Sequence, residues 1–405
     1  MSGPDLDALA RAAFDPDAAP ACVGVAVSGG SDSLATLSLL ARHYRVAAVT
    51  VDHGLRPEAA QEAAGVAAYC GARGIPHEIL RWQGPAPAGN LMDQARRARL
   101  SLIGGWARGR GITDVALGHT ADDQAETFLM RLGRRAGLEG LAGMRRRFVA
   151  EGVLWHRPFL TAPRAALRAH LTAEGIAWVE DPSNSDPRFA RVRARAALAG
   201  LGAVGITAEG LAEVTAHLAA AEALIAEDLY RWAAQNLREE AGDLIVAGAA
   251  LAALAPERRR RLLNAALRWV AGAEYGPRAA ALARIVAAPG PATLHGCRIT
   301  AARGLLRITR EAAASAPRAP AAAGLWDRWR LAGPAAPGLE IGPLGAAGLA
   351  RITDWRAGPL PRPSLLASPA IWAGETLIAA PLARPEGDWR ATPACGSFHA
   401  TLIRR

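Results

Sequence analysis

Ser28-Gly29-Gly30-Ser31-Asp32-Ser33 follows the apolar run Cys22-Val23-Gly24-Val25-Ala26-Val27 and leads into Leu34-Ala35-Thr36-Leu37-Ser38-Leu39-Leu40, whose apolar spacing is helical. A strand that breaks into small residues and then opens a helix leaves several backbone N–H groups directed at one point, where the helix dipole adds partial positive charge. Gly29 and Gly30 allow close backbone approach, and Ser31 and Ser33 add hydroxyl donors. The segment can therefore hold a phosphate without a cationic side chain. The same residues also read as a tight turn between strand and helix with a Ser or Asp cap.

A second group is Gly118-His119-Thr120-Ala121-Asp122-Asp123-Gln124-Ala125-Glu126-Thr127. On a helix, Asp122, Asp123 and Glu126 are neighbours on one face, a trio suited to an ammonium group or Mg²⁺. Thr120-x-x-Asp123 equally forms a helix capping box whose acids complement the dipole. His119 alone reads as a structural or a catalytic histidine. Arginine clusters lie near these motifs: Arg96 with Arg99, Arg131 with Arg134 and Arg135, and Arg145-Arg146-Arg147. With Arg157 and the stretch 184–195 they supply positive charge beside the phosphate motif. The run Arg258–Arg261 reads either as a nucleic-acid contact or as a solvated helix face.

The elements needed to position these groups are an alternation of strands and helices over residues 22–200, which implies a mostly parallel sheet with helices on both faces. Strands are expected at Val23–Val27, Val46–Val51, His77–Arg81 and Asp114–Leu117, and helices at Ser33–Arg42, Glu58–Arg73, Leu91–Arg108 and Ala121–Leu132. Ligands on such sheets bind beyond the carboxyl ends of the strands, where Ser28–Ser33 and Val51-Asp52-His53-Gly54 both fall. Long Ala/Leu-rich helices then follow at Leu211–Leu237 and Glu257–Val270, with short β-type pieces around Leu294–Ile308. Residues 312–324, rich in Ala and Pro, read as a linker to a small β-containing module.

Composition narrows the chemistry further. Every one of the 47 Lys+Arg residues is arginine, so phosphate-loop NTPase chemistry and Schiff-base catalysis by this chain are excluded. The net charge of +10 favours a polyanionic partner such as nucleic acid. Cys22, Cys70, Cys297 and Cys395 are widely spaced and read as reduced thiols. No uninterrupted apolar run reaches membrane-spanning length, so a cytoplasmic protein with no membrane contact is expected.

Ser28–Ser33 resembles the SGGxDS signature of the pyrophosphatase-loop ATP enzymes, which cleave ATP between the α- and β-phosphates and adenylate a substrate. Within that group the chain resembles the tRNA(Ile)-lysidine synthetase family. The matching phrases run in order: Ser28–Ser33; Val51-Asp52-His53-Gly54-Leu55-Arg56-Pro57-Glu58; Ala95-Arg96-x-x-Arg99; Gly118–Thr127; Leu129-Met130-Arg131-Leu132; Arg157-Pro158-Phe159-Leu160; and Glu180-Asp181-Pro182-Ser183-Asn184. Two departures are Leu100, where the family usually has Tyr, and Val192, where it usually has Asn.

The resemblance implies ATP-dependent ligation of free L-lysine to C2 of cytidine 34 in the CAU anticodon of isoleucine tRNA, through an adenylated cytidine, with release of AMP and pyrophosphate. It implies catalytic roles for Asp32, His119, Asp123 and Glu126, and ATP contacts from Ser28, Gly29, Gly30, Ser31, Asp32, Ser33, His53, Arg96 and His119. Lysine contacts fall to Asp123 and Glu126, tRNA contacts to Arg131, Arg134, Arg157, Arg191, Arg193 and Arg195, and Mg²⁺ to Asp32. The implied fold is a Rossmann-like parallel sheet with helices on both faces, then a helical domain and a small α+β module. The expected divisions are a catalytic domain over 1–205, a helical tRNA-binding domain over 206–311, a linker over 312–324 and a C-terminal tRNA-binding module over 325–405. A homodimer is the candidate oligomeric state. Two rival enzymes are less well supported: a thiolase of the same group would need a cysteine pair or iron–sulfur site, and a glutamine amidotransferase would need a nucleophilic Cys domain. A non-catalytic RNA-binding protein would differ from all of these in releasing no pyrophosphate.

Overall fold

The computed structural model describes residues 4–52, 54, 58–82, 91–180, 186–334 and 336–403. Two compact units emerge, Met1–Glu222 and Ala223–Arg405. The first opens with α1 (Leu6–Arg11), whose first turn is capped by the Asp5 carboxylate accepting from Ala8 N–H. The alternating pattern then yields β1 (Val23–Ala26), α2 (Ser31–Leu40), β2 (Val46–Asp52), α3 (Glu58–Gly71), β3 (His77–Arg81), α4 (Leu91–Gly109), β4 (Asp114–Leu117) and α5 (Ala121–Gly133). These agree with the strands and helices read from periodicity to within a few residues. After the short α6 (Leu138–Leu141) come β5 (Arg147–Ala150), β6 (Val153–His156), α7 (Arg164–Ala173), α8 (Ala190–Leu201) and the long α9 (Ala208–Asn236).

The sheet order is β3-β2-β1-β4-β6-β5. All neighbours are parallel except β5, which pairs antiparallel with β6. Val23 is aligned with both Val46 and Asp114, so β1 lies at the centre with β2 and β4 on either side. The chain leaves β1 towards β2 and later returns to its other side at β4. That reversal opens a crevice beyond the carboxyl ends of β1 and β4, the standard ligand position in such sheets. One sheet face buries Val23, Val25, Leu37, Phe159, Leu167 and Leu171, and the other buries Val49, Ile103, Trp106, Val115 and Trp155. Both faces are covered, as a parallel sheet requires.

The second unit begins within α9 and continues with β7 (Leu237–Glu240), β8 (Asp243–Ala247), α10 (Gly248–Ala253), α11 (Pro256–Ala271), α12 (Ala279–Ala287), β9 (Ala292–Leu294), β10 (Cys297–Ala302) and β11 (Leu305–Arg310). These five strands form one antiparallel sheet, β7-β8-β11-β10-β9. The stretch 206–311, expected to be helical, therefore also carries a sheet. Residues 312–324, expected as a linker, contain two single 3₁₀ turns and a two-residue strand, with Ala321 buried. The C-terminal part holds a four-stranded and a three-stranded sheet and ends in a helix, Phe398–Ile403. Phe398 and Leu402 of that helix lie in the same apolar cluster as Leu267, Trp269 and Val270 of α11. The middle and C-terminal stretches thus share a core. No single described helix is long and apolar enough to cross a membrane.

Candidate active site

At the end of β1 the chain turns through Gly29, whose φ of +84° is in the region that favours glycine, and enters α2 at Ser31. The residue before the helix, Gly30, has extended backbone and contributes no side-chain cap. The first N–H groups of α2 are therefore directed outward with no N-cap side chain taking them, a disposition suited to a polyphosphate. Ser33 differs from expectation. Its Oγ accepts from Ser28 N–H at 3.1 Å and donates to the Gly30 carbonyl at 3.0 Å, so it shapes the loop from within. Ser31 Oγ lies 3.2 Å from Asp32 Oδ1 and 3.3 Å from Arg168 Nε.

The end of β4 lies directly against this loop. A Cβ at Gly118 would lie 2.7 Å from the Asp32 carbonyl oxygen and 2.8 Å from Ser33 Cα, both backbone atoms. Gly118→Ala should push the loop outward and weaken ATP binding by about tenfold, because relieving such overpacking typically costs 1–3 kcal/mol. Titration with ATP checks this, and unchanged affinity would show that the loop can yield.

Immediately after Gly118, Thr120 and Asp123 make the capping box read as one alternative from the sequence. Asp123 Oδ2 accepts from Thr120 N–H at 2.9 Å and from Thr120 Oγ1 at 3.0 Å. The other Asp123 oxygen faces outward from the cap, so capping leaves it available for a second contact. Arg164, the first residue of α7, makes that contact. Its guanidinium reaches Asp123 Oδ1 at 3.3 Å, Asp32 Oδ2 at 2.8 Å and Glu126 Oε1 at 3.7 Å, while its backbone N–H donates to Asp122 Oδ2 at 2.7 Å. Sequence reasoning missed Arg164. The available signal was a cation in the first turn of a helix capped only by Pro163, a place where the dipole disfavours positive charge unless carboxylates meet it.

Glu126 has a fully buried side chain and is met from α8 by Arg195 Nε at 2.8 Å and Arg191 Nε at 3.3 Å. Burial raises its pKa, and Arg195 opposes that rise. Burial likewise raises Asp32 against the lowering pull of Arg164. For Asp123 burial is again the largest influence, but the Arg164 guanidinium opposes it and the carboxyl stays below its usual value.

His119 accepts from Arg157 Nε through Nδ1 at 3.2 Å, which assigns the proton of its neutral ring to Nε2. Burial, reinforced by the charge on Arg157, drives its pKa from 6.5 down to about 3. His119 is therefore a neutral hydrogen-bond donor at physiological pH. The unfolded chain binds this proton near pH 6.5 and the folded one does not, so stability present above that pH is lost as pH falls towards 3. His119→Gln should reduce the loss in urea midpoint between pH 6.5 and 5, to which the wild-type ring contributes at most about 2 kcal/mol. An unchanged pH slope would mean that the ring is not desolvated.

Arg157 was expected at a tRNA surface. It is 5% exposed, and its guanidinium is committed to His119, to the Arg145 carbonyl at 2.5 Å and to the face of Phe148 at 4.4 Å. Burial removes it from direct phosphate contact and makes it the residue that orients His119. Arg131 is similarly engaged by the carbonyls of Gly140 and Gly143, at 2.6 and 3.1 Å. Arg96 and Arg134 are exposed. Burial is the main cause that lowers the pKa of His119, Arg131 and Arg157, and the charge of Arg96 adds to it at each, with Asp123 opposing at His119 and Arg157. Arg193 does not join Arg191 and Arg195; its Nη1 donates to the carbonyls of Pro187 and Arg188, each at 2.9 Å. His53 lies outside the described residues.

In the second unit the Arg258–Arg261 run is only partly internal, with the Arg258 and Arg260 side chains 34% and 37% exposed. Arg261 is 3% exposed and paired with Glu257 at 2.9 Å, while Arg259 donates to the Val286 carbonyl at 2.6 Å. Arg260 and Arg261 pull the Glu257 carboxyl down to about 2. All four cysteines are free thiols.

A family model described as a PP-loop domain matches residues 7–200, a span that includes both motifs. The chain is 46% identical over 397 residues to a tRNA(Ile)-lysidine synthase of Ruegeria pomeroyi, covering 95% of this chain and 94% of that protein. It is 38% identical over 393 residues to one of Mesorhizobium japonicum, covering 90% and 84% of the two chains. It is also 43% identical over 305 residues to one of Hyphomonas neptunium, covering 69% and 79%. Likeness at this level, extending through both compact units, places the chain in the tRNA(Ile)-lysidine synthase family.

Proposed function

We propose that this chain uses ATP to join the ε-amine of free L-lysine to C2 of cytidine 34 in the CAU anticodon of tRNA(Ile), through an adenylated cytidine. The observation that carries the reading is the convergence of an anion-receptive helix start and a buried carboxylate cluster at the ends of adjacent strands β1 and β4. Two chemically different subsites thereby lie side by side.

In the first step cytosine O2 attacks the α-phosphorus and pyrophosphate leaves. The N–H groups that open α2 hold the phosphates, Nε2–H of His119 donates to an α-phosphate oxygen, and the field of Arg96 and Arg157 favours the anion. Asp32 is the residue that would hold Mg²⁺. A single carboxylate suits an ion that would supply positive charge beside the phosphates.

In the second step the lysine nitrogen forms the bond to C2 as the C2–O bond to AMP breaks. The amine must first lose a proton, since free lysine titrates near ~10.4. Asp123 and Glu126 hold the ammonium, and Glu126, whose basicity burial has raised, takes the proton. Exposed Arg134 and half-exposed Arg191 and Arg195 then face the tRNA, with the C-terminal module as a further tRNA contact. Free lysine and tRNA as substrates fit a cytoplasmic reaction, and sedimentation of the purified chain tests the candidate homodimer.

The deciding experiment incubates the full chain with ATP, labelled lysine and bulk tRNA, followed by nucleoside analysis. Label in lysidine, with stoichiometric AMP and pyrophosphate, is the expected result. Pyrophosphate release with a different modified base would overturn the substrate assignment.

A further inference from the structure

Arg164 uses each of its three guanidinium nitrogens on a different carboxylate: Nε on Asp32 at 2.8 Å, Nη2 on Asp123 at 3.3 Å and Nη1 on Glu126 at 3.7 Å. Its side chain is 16% exposed, and its backbone is anchored to Asp122 at 2.7 Å, so the head group is aimed by a fixed helix start. Arg191 and Arg195 face the same cluster from α8, and each forms an ion pair with Glu126. Arg164 joins the carboxylate on the ATP loop to those on α5.

Asp123 and Glu126 are already met by guanidinium groups, Asp123 by Arg164 and Glu126 by Arg164, Arg191 and Arg195, while Asp122 accepts from the Arg164 backbone N–H. An ammonium entering beside Asp123 and Glu126 would add positive charge where solvent screens little, at a high desolvation cost. A triphosphate at the start of α2 adds negative charge and gives the guanidinium a bidentate alternative to carboxylate.

We propose that Arg164 couples the nucleotide subsite to the amine subsite. Bound phosphates draw its head group off the carboxylates, and Asp123 and Glu126 become available to the lysine ammonium. Reciprocity requires lysine to tighten nucleotide binding by the same factor. The proposal rests on the reading of Asp123 and Glu126 as the lysine-binding pair. Arg164 acts here as a positioning residue.

The test measures binding of labelled lysine to the full chain by equilibrium dialysis, with and without Mg²⁺ and α,β-methylene ATP. Wild type should bind lysine about tenfold more tightly with the nucleotide, within the usual range of coupling between sites. In Arg164→Gln the ratio should fall close to one, whatever happens to either affinity alone. A purely structural role would weaken both affinities and leave the ratio intact. Arg164→Lys keeps the charge but cannot span three carboxylates, and should give an intermediate ratio; it decides the matter if the glutamine variant does not fold. A wild-type ratio of one, or a full ratio in either variant, overturns the proposal. Glu126→Gln in the same assay separates the two levels of inference. If it leaves lysine affinity unchanged, the amine reading itself has failed. If it weakens lysine binding while Arg164 variants keep full coupling, only the proposal made here falls.

Discussion

Asp32→Asn is expected to reduce ATP-dependent pyrophosphate release by about three decades, the upper range for removing one preorganised electrostatic group from a reaction centre. The carboxylate is in the first turn of α2, beside the N–H groups assigned to the phosphates, and its Oδ2 is the Arg164 contact. Asparagine preserves shape but discards the charge that would hold Mg²⁺ and anchor the guanidinium. The fold should survive, because the apolar core of this sheet face is built from Val23, Val25, Leu37, Phe159 and their neighbours. Ser33→Ala should act differently. It removes the hydroxyl that joins Ser28 N–H to the Gly30 carbonyl, loosening the loop and raising the ATP requirement. Quench-flow measurement of pyrophosphate, with circular dichroism on both variants, checks the pair. Wild-type turnover in Asp32→Asn would return Ser28–Ser33 to a plain turn between strand and helix.

The parallel core was legible because its signals are local: runs such as Val46–Asp52 and the apolar period of α2 need no knowledge of the rest of the chain. The hairpins of β5 with β6 and of β7 with β8 were not. Their turns are Glu151-Gly152 and Ala241-Gly242, with φ of 53° and 72° and of 47° and 79°. A left-handed first residue is usually marked by Asn or Asp, and Glu and Ala give no such mark. The segment Leu237-Arg238-Glu239-Glu240 also continues the composition of a helix while forming a strand. At the site, residue types and strand ends could be read, but the partner of each charge could not. Nothing in the spacing reveals that Arg157 is buried against His119 or that Arg164 spans three acids from a helix more than thirty residues beyond them in the chain, because such pairings are made only when the sheet assembles. A truncation at residue 312, attractive from sequence as removal of a separate module, would strip Phe398 and Leu402 from a core shared with α11. The contribution of the C-terminal part to tRNA binding is therefore better tested by surface substitution.

Glu126→Gln should raise the lysine concentration needed for half-maximal lysidine formation by one to two decades, while adenylated tRNA still accumulates without lysine. Charge-assisted hydrogen bonds contribute about 1.5–3 kcal/mol, which sets this range. The ATP loop stands at the end of a different strand and keeps its own backbone donors, so activation should persist. Charge balance shapes the stability effect. Losing the carboxylate leaves Arg191 and Arg195 without their shared partner, but their side chains are 49% and 41% exposed and can turn to water. The destabilisation should therefore be smaller than the 3–5 kcal/mol typical of breaking a fully buried pair. The raised pKa of Glu126 adds a second readout. Glutamine resembles the protonated acid, so lowering the pH should move the wild-type lysine requirement towards that of the variant and change the variant less. Steady-state lysidine formation against lysine concentration at several pH values, alongside detection of adenylated tRNA, makes the comparison. An unchanged lysine dependence with adenylation lost would transfer the acids of α5 from holding the amine to holding a metal at the ATP phosphates.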